Sequence, residues 1–416
     1  MIATHFFEQA QQLDADDPLA HKKAEFLLAD GQIYLDGNSL GPLTKHTQTH
    51  LQSVISQQWG CDLIKSWNQH DWIRLPQKVG AKLAPILGVE PETVIACDSI
   101  SVNIHKVLTA ALALQPGRST ILTQAGNFPT DGYMLQGLAT HPVSNGQYQV
   151  KTVSTDALLS AMDESVAVLV LSHVDYKTGR VLSIQDITAA AHAHGILVLW
   201  DLAHSAGVIE LDLQAWSVDF AVGCGYKYLN GGPGAPAFIY AHPCHHSCIQ
   251  HTLTGWMGHT QPFAFDAEYQ PAAGVDCFLA GTPGILSLSA LDAALEVYRD
   301  VTICDIRSKS LALSEFALAL CAQTPQLAEL VCIAPYNTQN RGSQLAFTHP
   351  QAFAICQAWI KAGVIADFRA PDILRVGFAP LYVSFHDVVE AFSRLSTIVY
   401  EQTYTAPEYQ VKHTVT

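Results

Sequence analysis

The chain has 416 residues, is 49% apolar and 14% charged, and carries 37 acidic against 22 basic side chains, a formal charge of −15. That composition belongs to a folded globular protein long enough for two or three domains, and it excludes a disordered chain. The acidic balance argues against nucleic acid or an anionic membrane as a partner, so an anionic ligand needs a local basic site.

Ten cysteines are scattered without a CxxC, "MIATHFFEQAQQLDADD" has no basic, then apolar, leader, and the apolar runs are too short for a bilayer. A cytoplasmic protein with reduced thiols is expected. Residues 1–60 lack any strand–helix rhythm and are expected to pack on the C-terminal domain. Residues 61–290 then alternate. "TVIACD" and "STILTQ" read as strands around the helical pattern of "VNIHKVLTAALAL". "SVAVLVLS" (Ser165–Ser172) is a continuous β-branched run, as in a strand covered on both faces. "SIQD" (Ser183–Asp186) opens a helix that ends near Gly195, and "ILVLWD" (Ile196–Asp201) and "FAVGCG" (Phe220–Gly225) are further buried strands. This order predicts an α/β fold with a mostly parallel sheet wrapped by helices. Residues 291–416 predict a smaller α+β domain. A long helix over Gly284–Asp300 leads into it, followed by "SQLAFTH", the helix "QAFAICQAWIKAG", "ILRVGF" and the helix "SFHDVVEAFSRLSTIVY". The tail after Tyr404 is expected to be loose.

Ligands of such sheets sit at the carboxyl ends of the strands. Five predicted strand ends carry polar groups there. Ser99 and Ser101 stand at a helix start and suit a phosphate. Phe128 and Asp131 follow a second strand, Ser172, His173 and Asp175 a third, Asp201 and His204 a fourth, and Lys227 a fifth. Any one alone reads as an ordinary cap. Burial disfavours the charged form of a lysine, which frees an amine for a Schiff base. An Asp on the next strand can hold a cationic ring nitrogen, Phe128 can stack on the ring, and the serines can hold its phosphate. Together these describe a site for pyridoxal 5′-phosphate (PLP), with Lys227 as its Schiff-base lysine.

"DLAHSAG" is followed, 26 residues after its Asp, by the lysine of "YKYLNGGPG", which resembles the fold-type-I, class-V PLP enzymes. Within that group, "YLDGNSLG" (Tyr34–Gly41), "SVNIH" (Ser101–His105), "NFPTD" (Asn127–Asp131), "DYKTG" (Asp175–Gly179), "GWMGH" (Gly255–His259) and "LRVGFAPLYVSF" (Leu374–Phe385) resemble the kynureninase family, which hydrolyses L-kynurenine to anthranilate and L-alanine in tryptophan catabolism. The resemblance implies that Ile100, Ser101 and Ser172 line the cofactor, that Phe128 stacks on it and that Asp131 lies close by. It implies that Asp201 pairs with the pyridine nitrogen beside His204, and that Tyr226 reaches the phosphate and relays protons. It further implies a homodimer with shared sites, in which Trp256 and Thr282 reach the partner's cofactor, and it makes Arg375 the anchor of the α-carboxylate of an amino-acid substrate. Lys227, Tyr226 and Asp201 are the catalytic candidates. Gly281 and Thr282 stand where animal relatives carry Ser and Asn, which resembles the bacterial type that prefers kynurenine to its 3-hydroxy analogue.

The loop "HPCHHSCIQH" (His242–His251) fits no ordinary zinc spacing and reads as a solvated polar loop, so no metal is expected. A cysteine desulfurase, another rival of the same class, needs a nucleophilic cysteine on a mobile loop, whereas Cys321, Cys332 and Cys356 sit in apolar periodic segments. An aminotransferase and a non-catalytic dimeric homologue are the remaining alternatives.

Overall fold

The structure is a computed structural model that describes residues 2–411. A two-residue strand, β1 (Ile33–Tyr34), comes first. The large sheet is built from β2 (Val94–Cys97), β3 (Thr120–Gln124), β4 (Gln149–Val153), β5 (Val166–Ser172), β6 (Leu197–Asp201), β7 (Phe220–Cys224) and β8 (Ala237–Ala241). Its spatial order is β2-β8-β7-β6-β5-β3-β4. The pairs from β7 through β4 are parallel, and β8 runs antiparallel to both neighbours.

The predicted class therefore holds, and its cause is visible in the burial pattern. Every residue of β5 is buried, because helices cover both faces of the sheet. Alternate residues feed two separate cores: Leu169 and Leu171 face one, Val168 and Val170 the other. The connecting helices begin where side chains cap them. Ser99 caps Ile100–Ala113, and Ser183 Oγ accepts the N–H of Asp186 to start Ile184–Ala193. Gly195, at φ +68°, turns the chain out of the latter helix.

Strands β9 (Val331–Cys332), β10 (Gln344–Thr348), β12 (Asp367–Arg369) and β13 (Ile373–Gly377) form an antiparallel sheet in the order β12-β13-β10-β9. β11 (Val364–Ile365) leaves that sheet and pairs in parallel with β1. One core joins Phe6, Phe26 and Leu35 to Trp359, Phe392 and Leu395, so the start of the chain completes the small domain. That contribution ends earlier than residue 60: helix Lys45–Ser53 packs instead on Ile285–Ala294 beside the large sheet.

Two local expectations are corrected. The helix expected over Gly284–Asp300 is regular only over Ile285–Ala294 and tightens to a 3₁₀ turn at Leu295–Tyr298. The segment after Tyr404 is not loose as far as it is described, since Tyr404 is buried and Pro407–Gln410 forms a 3₁₀ turn packed on Ala352–Lys361. The remainder of that tail lies outside the described residues. No helix among the described residues is long and apolar enough to cross a membrane.

The two domains meet through residues 36–41. Gly377 N–H donates to the Leu35 carbonyl and Gly41 N–H to the Tyr226 carbonyl, both at 2.7 Å. This segment therefore lies between the last strand of the small domain and the turn that carries Lys227.

Candidate active site

The carboxyl ends of β2, β3, β5, β6 and β7 open on one cavity of about 190 Å³. A larger groove beside Lys82, Glu296 and Cys304 lies away from these strand ends and gathers no such set of groups. Of the residues expected at the site, Ile100, Ser101, Phe128, Ser172, Asp201, His204, Tyr226 and Lys227 line the cavity. Two helix starts face it. Ser101 Oγ, in the first turn of Ile100–Ala113, lies 2.9 Å from Thr130 Oγ1, in the first turn of Pro129–Thr140. Backbone N–H groups without helical partners and hydroxyls converge there, which suits a phosphate.

Lys227 Nζ lies 2.9 Å from His204 Nε2, 5.8 Å from the Phe128 ring centre and 5.9 Å from that of Tyr226. Phe128 is itself held edge-on by Tyr176, with ring centres 5.2 Å apart. The Lys227 turn packs closely because Gly225 lies against the Pro236 backbone and Gly231 against that of Gly225. A Cβ on Gly225 would stand 2.5 Å from the Pro236 carbonyl oxygen, and one on Gly231 2.7 Å from that of Gly225.

Asp201 Oδ1 accepts the N–H of Ala203 at 2.8 Å. Burial pushes its carboxyl up, while Lys227 pulls the other way. Asp131 stands one layer back, its Oδ2 accepting from Ser172 Oγ at 3.2 Å. Burial, then the charge of Asp201, raises its carboxyl well above the ordinary carboxylate range. Burial, then Lys227, holds His204 well below the usual imidazole value, so its ring is neutral. Burial keeps the Tyr226 hydroxyl protonated, as a donor.

Asp131 Oδ1 and His204 Nδ1 are buried without a hydrogen-bond partner among the described residues. Two buried acids and a neutral imidazole facing a single lysine amount to a site that lacks a cation and a hydrogen-bonding ring. A protonated pyridine ring with a phosphate at the helix starts supplies both, so the donor set fits PLP.

Other expected residues lie elsewhere. Trp256 is half-exposed and packs on Phe263 and Phe265, with ring centres 5.5 and 6.3 Å away. Thr282 lines a separate cavity of about 300 Å³ together with Asp98 and Gly234. His173 is buried below the site on Ser205 Oγ at 2.7 Å, and burial, then Arg307, pushes its ring down to about 3. Arg375 is fully buried behind Tyr176, whose carbonyl accepts from Nη1, and its Nε donates to Asp367 Oδ1 at 2.8 Å. Asp175 does not enter the cavity; it shapes the turn there by accepting the N–H of Lys177 and of Thr178 at 3.0 and 2.6 Å.

Among the wall residues that escaped the sequence reading are Thr130, Tyr176 and Cys224. Thr130 carried a signal, since a Pro at the first helical position marks the same kind of helix start as at Ser101. In the polar loop, His245 Nε2 and, from the neighbouring helix, His192 Nε2 flank Asp219 at 2.8 and 2.7 Å. Among the cysteines weighed for a desulfurase, Cys356 is fully buried and Cys321 and Cys332 are half-buried, with burial pushing all three thiols up.

The profile of the kynureninase C-terminal domain matches residues 306–395. A kynureninase of Deinococcus radiodurans is 47% identical over 398 residues, covering 94% of this chain and 96% of that protein. A kynureninase of Pseudomonas fluorescens is 41% identical over 409 residues, covering 97% and 98%. Among solved structures, a C-DES variant with glycine covalently linked to its PLP cofactor superposes with a TM-score of 0.78 at 21% identity, over 90% of this chain and 98% of that one. The cysteine desulfurase CsdA of Escherichia coli does so with a TM-score of 0.76 at 19% identity, over 92% and 98%. These two likenesses concern the fold, that of the fold-type-I PLP enzymes, whereas identity above 40% across nearly the full length concerns the family. The chain belongs to the kynureninase family.

Proposed function

We propose that the chain carries out the PLP-dependent hydrolysis of L-kynurenine to anthranilate and L-alanine, with Lys227, Asp201 and Tyr226 as its catalytic residues. The observation that carries this reading is one cavity in which Lys227, Asp201, Phe128 and two helix starts converge, in a chain 47% identical to a kynureninase.

Lys227 would hold the cofactor, Phe128 would offer a face for its ring, and the first turns at Ile100–Ser101 and Pro129–Thr130 would receive its phosphate together with Tyr226. Asp201 would pair with the pyridine nitrogen, and Asp131, held by Ser172 Oγ, would stand behind it. When bound, the cofactor supplies an electron sink for negative charge that develops on the substrate carbons. With substrate bound, Lys227 Nζ would be the base that moves the α-proton. The neutral His204 ring at 2.9 Å gives that amine a hydrogen-bond partner without adding charge. Tyr226 keeps its proton and serves as the donor at the leaving carbon. Arg375 is the α-carboxylate anchor of this reading; the edge of its guanidinium turned away from Asp367 meets the Tyr176 carbonyl and Ser39 Oγ, so Tyr176 moves aside for a carboxylate to reach it.

We assign the enzyme to a homodimer with shared sites. The uncovered cluster of Trp256, Phe263 and Phe265, and the placing of Thr282 outside its own chain's cavity, support that assembly. Free cysteines throughout the described residues support a cytoplasmic setting.

Anthranilate fluorescence, followed with kynurenine and with 3-hydroxykynurenine side by side, tests the activity and its preference; faster turnover of kynurenine is expected. Borohydride reduction of the holoenzyme followed by digestion should place the pyridoxyl label on Lys227. A label on another lysine, or no anthranilate formed, would overturn the reading.

A further inference from the structure

A compact charged cluster lies on the small-domain side of the cavity. Asp367 Oδ1 accepts from Arg375 Nε at 2.8 Å, and Asp367 Oδ2 accepts from Arg375 Nη2. Arg369 Nη2 reaches the same Oδ2 at 2.8 Å. Ser39 Oγ donates to Asp367 Oδ2 at 2.8 Å and lies 3.3 Å from each arginine's Nη2. Asp367 has thus engaged both guanidiniums. Asp36, three residues before Ser39, faces the same cluster, but its Oδ1 is buried with no hydrogen-bond partner among the described residues. Two cations are therefore committed to one carboxylate, and a second carboxylate is left over.

We propose that Asp36 is a positioning residue that keeps or takes up a proton when an amino-acid carboxylate reaches Arg375, so that substrate binding is coupled to proton uptake at this acid. The proposal rests on the reading of Arg375 as the carboxylate anchor. Its physical basis is neutrality in a buried cluster. With Asp36 ionised, two acids already balance two guanidiniums, and a third carboxylate makes the cluster negative. With Asp36 protonated, one positive charge remains for the incoming carboxylate to neutralise.

The surroundings make Asp36 the group that changes charge near neutral pH. Burial, then the charge of Asp367, pushes its carboxyl up to about 7, against the pull of Ser39, Arg375 and Arg369. Asp367 itself is held low by its arginines, despite its burial. The other titratable neighbours are Tyr34 on β1, Tyr228 beyond Lys227, Tyr382 before the last helix and Cys356 on Ala352–Lys361. Burial pushes all of them up, so they stay neutral.

The test is a pH series of KM for kynurenine in holoenzyme and in Asp36→Asn. KM of the wild type should rise by about fivefold or more between about pH 7 and 8.5, while that of the variant stays flat. A second measurement needs no variant. The alcohol made by reducing the γ-carbonyl of kynurenine, and its decarboxylated amine, are titrated into wild-type holoenzyme at about pH 8 in two buffers of different ionisation enthalpy. The carboxylate-bearing ligand should take up more protons than the amine. Equal uptake by the two ligands, or the wild-type KM slope retained in Asp36→Asn, overturns the proposal. Arg375→Lys separates the two levels: if it leaves the preference for acid over amine intact, the anchor reading falls. If that preference is lost while the Asp36→Asn slope is unchanged, the Asp36 proposal alone falls.

Discussion

Gly41→Ala tests whether the N-terminal segment sets the position of the catalytic lysine. Gly41 N–H donates to the Tyr226 carbonyl at 2.7 Å. A Cβ at this residue would stand 2.3 Å from the Lys227 carbonyl oxygen, 2.4 Å from Asn230 Oδ1 and 2.6 Å from Asn230 Cα. Side-chain contacts do not occur below 3.0 Å and become ordinary at 3.4 Å, so the two backbones must part by about 0.7 to 1.1 Å. Asn230, at φ +59°, fixes the far side of the turn through Nδ2 to the Tyr228 carbonyl at 2.7 Å, so the displacement falls on Tyr226 and Lys227. Misplacing reacting groups by about 1 Å costs on the order of 10²-fold in rate, about 2.7 kcal/mol of barrier. Overpacking costs about 1–3 kcal/mol of stability, which lowers Tm without preventing folding. We expect Gly41→Ala to fold, to lose about 10²-fold in kcat/KM in the anthranilate assay, and to be labelled more slowly at Lys227 by borohydride. Gly137→Ala is the control. Its Cβ meets nothing within 4 Å, and a mid-helix alanine adds up to about 1 kcal/mol of stability. If Gly41→Ala keeps kcat/KM within about threefold of wild type, the segment does not hold the lysine turn and the argument fails.

Three more outcomes are expected. Arg375→Lys breaks a two-point ion pair with Asp367 and removes the fork that a carboxylate needs, so KM for kynurenine should rise by an amount worth about 2–4 kcal/mol while PLP affinity changes little; unchanged KM places the carboxylate elsewhere. Asp131 and Asp201 have folded-state values above the unfolded carboxylate range, so the folded cofactor-free protein binds more protons than the unfolded chain and loses stability as pH rises from about 4 toward neutral. Chemical denaturation of cofactor-free Asp131→Asn should therefore show a smaller loss between about pH 5 and 7 than wild type, and equal losses would remove Asp131 from the account. Mixing inactive Lys227→Ala and Trp256→Ala subunits should restore roughly a quarter of wild-type activity through hybrid dimers; hybrids seen by mass spectrometry without activity would put Trp256 in the site of its own chain.

The large sheet was legible because its strands are covered on both faces. β5 and β6 read as unbroken apolar runs, and the polar residue that ends each run marks the site. The edge strand β4, "QVKTV", is half-exposed and carries no such run, so nothing in its pattern set it apart. Lys227, Asp201 and Phe128 stood out as polar or aromatic residues at strand ends. Asp36 and Asp367 did not, because their partnership spans 331 positions and no local period reports it. Tyr176 enters the wall through a turn made by Asp175, and a turn's direction is set by hydrogen bonds that spacing does not encode. The break at Leu295 was invisible because the apolar pattern runs on through Val297 although the helix does not.

The pairing of β1 with β11 has a consequence for biogenesis. Phe6, Phe26 and Leu35 belong to a core whose other half, from Val364 to Leu395, leaves the ribosome more than three hundred residues later. The large sheet can close on its own contacts while the first segment waits with its apolar side chains in water. Closing a loop this long adds little entropy cost at equilibrium, because that cost grows only with the logarithm of length, but it delays the final step. The order of synthesis thus separates the two domains in time, and a stalled chain would present a finished sheet beside an uncovered N-terminal helix that draws chaperones or neighbouring chains.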